Sequence, residues 1–235
     1  MPTIEVFLMF PPGDRNGRGR NENGQRTNLE DPGWNWIEHQ LKRDGYTLIV
    51  HGPSARPSVQ EIQDSMRNAE VTLLVGHGAS INAVPGKFVS SAINLRDGMI
   101  RSPDGVLLGT WNATNHNLSN ASAAGKLTIN KVTGIFTCNS TDKMPDAFDL
   151  PPGSHLITND GGQDGLTRIG TLEQGAADFV TGYGATKGNV RRAMHMAQLA
   201  FTQRGNDWPG DQGDRLSDKV GVTPPPPPMC EVKDW

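Results

Sequence analysis

Cysteine is nearly missing from this chain: Cys138 and Cys230 are its only two. Two cysteines cannot build the disulfide framework of a small secreted fold, and Cys230 follows a proline run, so Cys138 reads as a free thiol. Long apolar runs are missing as well. No stretch approaches the roughly 18 apolar residues of a membrane span, and Met1 is not followed by a charged start and a long apolar block. This argues against a membrane partner and for a cytoplasmic protein. A surplus of charge is also lacking, since the net charge of -3 gives no reason to expect nucleic acid, although Arg15, Arg18 and Arg20 form a local basic cluster. No Cys/His spacing suits zinc and no glycine loop ends in Lys-Ser/Thr, so neither a metal nor a cofactor is expected. The hydrophobic fraction, 35%, is low for 235 residues. Much of the chain must therefore be loop.

Glycine and proline are plentiful, and they cluster near residues 11–33, 151–170 and 205–228. Residues 11–33 hold almost no aliphatics and read as a mobile surface loop. Residues 205–235 read as a Gly/Pro-rich tail ending in the polyproline run Pro224 to Pro228. Residues 1–204 then form one domain. Along it the patterns predict a strand over Thr3–Phe10, a helix over Trp34–Lys42 stopped by Asp44-Gly45, and a strand over Tyr46–Val50. A helix over Ser58–Met66 follows, with Ser58 as N-cap and Glu61 closing a capping box. After a strand ending at His77, Asp97-Gly98 and Asp104-Gly105 mark turns of a β-hairpin insertion. A strand ending at Cys138, another over Ser154–Thr158, and helices over 171–183 and 189–201 complete the order. Such alternation specifies an α/β fold with a mainly parallel sheet and helices on both faces, and sites in such sheets form beyond the carboxyl ends of the strands. The loops 11–33, 51–57, 78–91, 139–154 and 159–170 are expected at that edge.

Two apolar runs end in reactive side chains. Val71-Thr72-Leu73-Leu74-Val75-Gly76 leads to His77-Gly78, and Val132-Thr133-Gly134-Ile135-Phe136-Thr137 leads to Cys138. Each reads as a buried strand with its reactive residue at the tip. If the strands are parallel neighbours, an imidazole stands beside a thiol. A thiol with a pKa of about 8.5 is a weak nucleophile until an imidazole or fixed dipoles raise its thiolate fraction, so His77 suits the base role. Gly78 lets its N–H approach a substrate carbonyl and, with the N–H of Cys138, hold an oxyanion. His51, which ends the apolar run Tyr46–Val50, is the chief rival for the base role. His155 at a strand start and His195 within a helix suit packing or surface roles.

These two blocks, Leu73-Leu74-Val75-Gly76-His77-Gly78 and Val132-Thr133-Gly134-Ile135-Phe136-Thr137-Cys138, resemble the caspase-like (clan CD) cysteine peptidases. Leu95-Arg96-Asp97-Gly98, Ala177-Asp178-Phe179-Val180 and Val190-Arg191-Arg192-Ala193-Met194 look most like the bacterial CHAT-type branch. The resemblance covers roughly residues 1–204. It implies a caspase-like three-layer sandwich with a His77/Cys138 dyad and an oxyanion hole from Gly78 and Cys138. It also implies a protein or peptide substrate, a regulatory protein partner, and a regulated role in bacterial defence or signalling. Phe136 and Thr137 stand where the family often has a polar or acidic residue and then a small one, next to the substrate pocket. Asp142 and Asp160, with Asp146, Asp149 and Asp164 nearby, offer carboxylates for a basic substrate residue. A catalytically silent caspase-like or Rossmann-like binding module, and a thiol hydrolase of non-peptide acyl substrates, are the competing readings.

Overall fold

The computed structural model describes residues 1–10, 32–76, 79–84, 87–94, 99–101, 127–137, 144–160, 169–207 and 215–222. In chain order these form β1 (Thr3–Met9), α1 (Trp34–Asp44), β2 (Thr47–His51), α2 (Val59–Asn68) and β3 (Val71–Gly76). Then come β4 (Ala79–Val84), β5 (Lys87–Asn94), β6 (Met99–Arg101), β7 (Leu127–Thr128), β8 (Val132–Phe136) and β9 (Phe148–Asp149). The chain continues with β10 (His155–Asp160), α3 (Ile169–Ala185), α4 (Val190–Asp207) and β11 (Arg215–Val220).

Local chemistry accounts for the helix limits. The α1 face Trp34, Ile37 and Leu41 is buried, and the helix stops because Gly45 adopts φ 91°, a left-handed conformation that costs glycine little. At α2 the Ser58 hydroxyl accepts the Glu61 N–H at 3.1 Å while Glu61 accepts the Ser58 N–H at 2.6 Å. That is the predicted capping box, and it satisfies two otherwise orphaned donors.

Six strands form the central sheet in the order β11-β10-β8-β3-β1-β2. All neighbours are parallel except β10 and β11. Because side chains alternate across a strand, consecutive apolar residues feed two separate cores. On one face Ile4, Val6, Leu73, Val75 and Phe136 pack with α1, α3 and α4. On the other, Phe7, Leu74 and Ile135 pack with Ile62 and Met66 of α2. The chain is thus an α/β fold, three layers deep, with a mostly parallel central sheet. Gly134 on β8 leaves no room for a side chain: a Cβ there would lie 2.5 Å from Leu73 Cδ2 and 2.9 Å from Phe136 Cε2.

Three features differ from the sequence reading. The expected tail, residues 205–235, is not all tail: α4 runs to Asp207 and Arg215–Val220 pairs antiparallel with β10 as the sheet's edge. The polar sequence of β11 carries no strand signal of its own, and β10 supplies the ladder that orders it. The expected loop 78–91 is mostly strand, because β4 and β5 pair antiparallel, and β6 pairs antiparallel with β5 in turn. The short parallel pair β7 and β9 carries too few residues to leave a pattern. The expected loop 11–33, up to residue 31, and the predicted Asp97-Gly98 and Asp104-Gly105 turns lie outside the described residues. Among the described residues, no helix is long and apolar enough to cross a membrane.

Candidate functional site

The strands that precede the two reactive residues are parallel neighbours. β3 and β8 pair from Val71↔Val132 to Val75↔Phe136. His77 follows Val75 by two residues, and Cys138 follows Phe136 by two. Val75 and Phe136 share one sheet face and one core. His77, Gly78, Cys138 and Asp142 themselves lie outside the described residues.

Three of the four suggested pocket residues, Phe136, Thr137 and Asp160, are among the described residues. Phe136 is fully buried, and its ring centroid is 6.4 Å from that of Phe179 on α3. Its side chain belongs to the core, not to a surface. Thr137 is also fully buried, and its Oγ1 has no hydrogen-bond partner among the described residues. Asp160 is the last residue of β10 and stands opposite Arg215 in the ladder. Asp142 is not described.

Further polar groups are buried where β10 ends and α3 begins: Thr158, Asn159, Thr171 and Glu173. The Trp34 indole N–H donates to Glu173 Oε1 at 2.9 Å, which joins the start of α1 to the start of α3. A buried carboxylate is tolerable only with such donors. Sequence reasoning missed this pair, whose members are 139 positions apart. Trp34 carried a helix signal and Glu173 looked like an ordinary helix residue.

The rival histidine sits elsewhere. Phe7 and His51 are paired in register, and their rings stack with centroids 4.2 Å apart and planes 5° apart. His51 Nε2 lies 2.7 Å from Glu5 Oε1. His51 is on β2, which β1 and β3 separate from β8. Three strand spacings of about 4.8 Å put it on the order of 14 Å from the cysteine-bearing strand. β3, and not β2, borders β8, so the strand that leads to His77 is the direct neighbour of the strand that leads to Cys138. Of the remaining candidates, His155 Nδ1 is 2.9 Å from Asp218 Oδ2 at the start of β10, and His195 is exposed on α4. Both match the structural roles expected of them.

His51 instead borders a cleft of about 670 Å³ between the β1–β2 edge and α2, lined among others by Glu5, Phe7, Arg56, Glu61 and Asp64. Ser54, also in its wall, has φ 73°, and its N–H is held by the Phe10 carbonyl at 2.8 Å. Among the described residues no three His, Cys, Asp or Glu side chains are grouped as metal ligands.

No family model matches the chain, and no curated protein sequence does. Among solved structures it is similar to the crystal structure of protein GSU0716 from Geobacter sulfurreducens, with 11% identity and a TM-score of 0.37 over 96% of each chain. A likeness of that size identifies neither a family nor an activity.

Proposed function

We propose that the chain is a cysteine endopeptidase of caspase-like fold in which Cys138 is the nucleophile and His77 the general base. One observation carries the reading: β3 and β8 are adjacent, parallel and in register up to Val75↔Phe136, with the two reactive residues at equal offsets beyond that pair. Parallel neighbours end at the same edge of a sheet, and that edge is where α/β folds assemble their sites.

The reaction then follows from the residue chemistry. His77 takes the Cys138 thiol proton, and the thiolate adds to the scissile carbonyl carbon. The backbone N–H groups of Gly78 and Cys138 stabilise the oxyanion of the tetrahedral intermediate. Its collapse breaks the C–N bond, and the imidazolium passes its proton to the leaving amine. Water, deprotonated by His77, then hydrolyses the thioester and restores the thiol. A protein or peptide is the substrate. With Phe136 buried in the core, Asp142 and Asp160 are left as the carboxylates to recognise a basic residue. A regulated role in bacterial defence or signalling rests on the family resemblance.

Alkylation of the native protein with iodoacetamide, mapping of the modified cysteine, and assay of a mixed peptide library test the reading together. The expected outcome is labelling at Cys138 and cleavage that Cys138→Ala and His77→Ala both abolish. Cleavage that survives both substitutions, or a native Cys138 that resists alkylation, overturns it. Labelling at Cys138 with intact peptides redirects the reading to a non-peptide acyl hydrolase.

A further inference from the structure

The cleft beside His51 is separate from the β3–β8 edge, and the peptidase reading leaves it unused. Its wall includes three carboxylates, Glu5, Glu61 and Asp64, and one guanidinium, Arg56, so carboxylates outnumber guanidinium groups three to one. Glu5 is held against the imidazole, and the imidazole lies flat on Phe7. This part of the wall is therefore already ordered. Carboxylate oxygens accept hydrogen bonds and carry charge, so the wall offers acceptors and negative charge together. An ammonium or guanidinium group, which has donors and no acceptor, complements it.

Among the described residues β2 pairs with β1 alone and forms the end of the sheet. Ile49 and His51 lie on the cleft side, paired in register with Glu5 and Phe7, and Ile49 is 43% exposed. An extended chain added beyond β2 would set every second side chain on that same face. We propose that β2 accepts an extended peptide as an additional strand and that the cleft takes a lysine or arginine side chain from it. Magnitude favours a peptide over a free amine. Ion pairs at half-exposed groups contribute little alone, whereas a main-chain ladder supplies affinity and lets the cleft supply selectivity.

The test uses the isotope-labelled full chain carrying Cys138→Ala, which keeps the probe uncut. Two probes differ at one central position, arginine or norleucine, within the same short Thr/Val-rich peptide, and agmatine serves as the free guanidinium. The arginine peptide is expected to shift the amide resonances of residues 47–51 and to bind at least tenfold more tightly than either the norleucine peptide or agmatine. Glu5→Gln combined with Asp64→Asn should remove most of that preference. Asp64→Asn alone, on an exposed turn of α2, should reduce it without touching the sheet. Equal binding of the two peptides, agmatine binding as tight as the arginine peptide, shifts confined to other strands, or no binding at all would each overturn the proposal. None of these outcomes depends on whether Cys138 is a nucleophile.

Discussion

The two ends of the central sheet are built to opposite specifications. At the amino end the neighbouring strands are tied by direct backbone bonds: Glu70 N–H to the Thr3 carbonyl at 2.8 Å and His155 N–H to the Lys131 carbonyl at 2.6 Å. Glu70 also forms an ion pair with Lys131 and accepts the Tyr183 hydroxyl at 3.2 Å. Tyr46 packs edge-on to Tyr183, with ring centroids 5.9 Å apart, and Lys187 reaches Asp44 at 3.1 Å. Buried side-chain oxygens without a partner among the described residues occur toward both ends, Thr133 Oγ1 nearer the amino end and Thr137 Oγ1 at the carboxyl end. The apolar strands there run into Gly, Thr, His, Cys and Asn. Ion pairs and tyrosine contacts gather at the amino end, while the residues that the sequence marks as reactive follow the strands at the carboxyl end, which divides the two.

Mutating one end of the sheet and reading the other tests this division directly. Cys138→Ala is expected to reduce peptide cleavage at least about 1,000-fold while leaving the thermal midpoint unchanged. Glu70→Gln should do the reverse, lowering stability by about 1 kcal/mol in urea titrations with cleavage intact. A Glu70 variant that loses cleavage while folded would end the division.

A substitution between the two ends should harm both. Gly134→Val places methyl groups where Leu73 and Phe136 already stand, and overpacking of this kind costs about 3 kcal/mol. In a chain of this size that corresponds to a fall of roughly 6–12 °C in thermal midpoint. An unchanged midpoint would mean that Leu73 and Phe136 are free to move aside.

The smallest effect is a pH dependence belonging to the amino end alone. Burial, and next the carboxylate of Glu70, push the Tyr183 phenol well above its ordinary value near 10. The folded state therefore holds this proton more tightly than the unfolded chain. Its contribution is fully present below the unfolded pKa and is lost as pH rises from about 10 toward the folded value. Urea midpoints compared at pH 8 and pH 11 should fall less for Tyr183→Phe than for the native chain. An identical alkaline loss in both would show that Tyr183 does not contribute, and cleavage measured at pH 8 should not distinguish them.

Local chemistry in the sequence determined much of the secondary structure. The β1, α1, α2, β3, β8 and β10 segments lie where period and turn residues put them, within a few positions, because each depends on neighbours close along the chain. The Ser58/Glu61 capping box and the stop at Gly45 are of the same kind: their partners are three or four residues away. The pairing of β3 with β8 could only be posed as a condition, since main-chain ladders between distant segments carry no local signature. Tertiary structure met that condition, whereas the preference for His77 over His51 came from the glycines on either side of it. Tertiary structure also recruited the polar Arg215–Val220 as an edge strand. The Trp34–Glu173 bond and the His51–Glu5–Phe7 stack likewise join residues that only folding brings together. Periodicity reports which face of an element is buried, while packing alone decides which two faces meet.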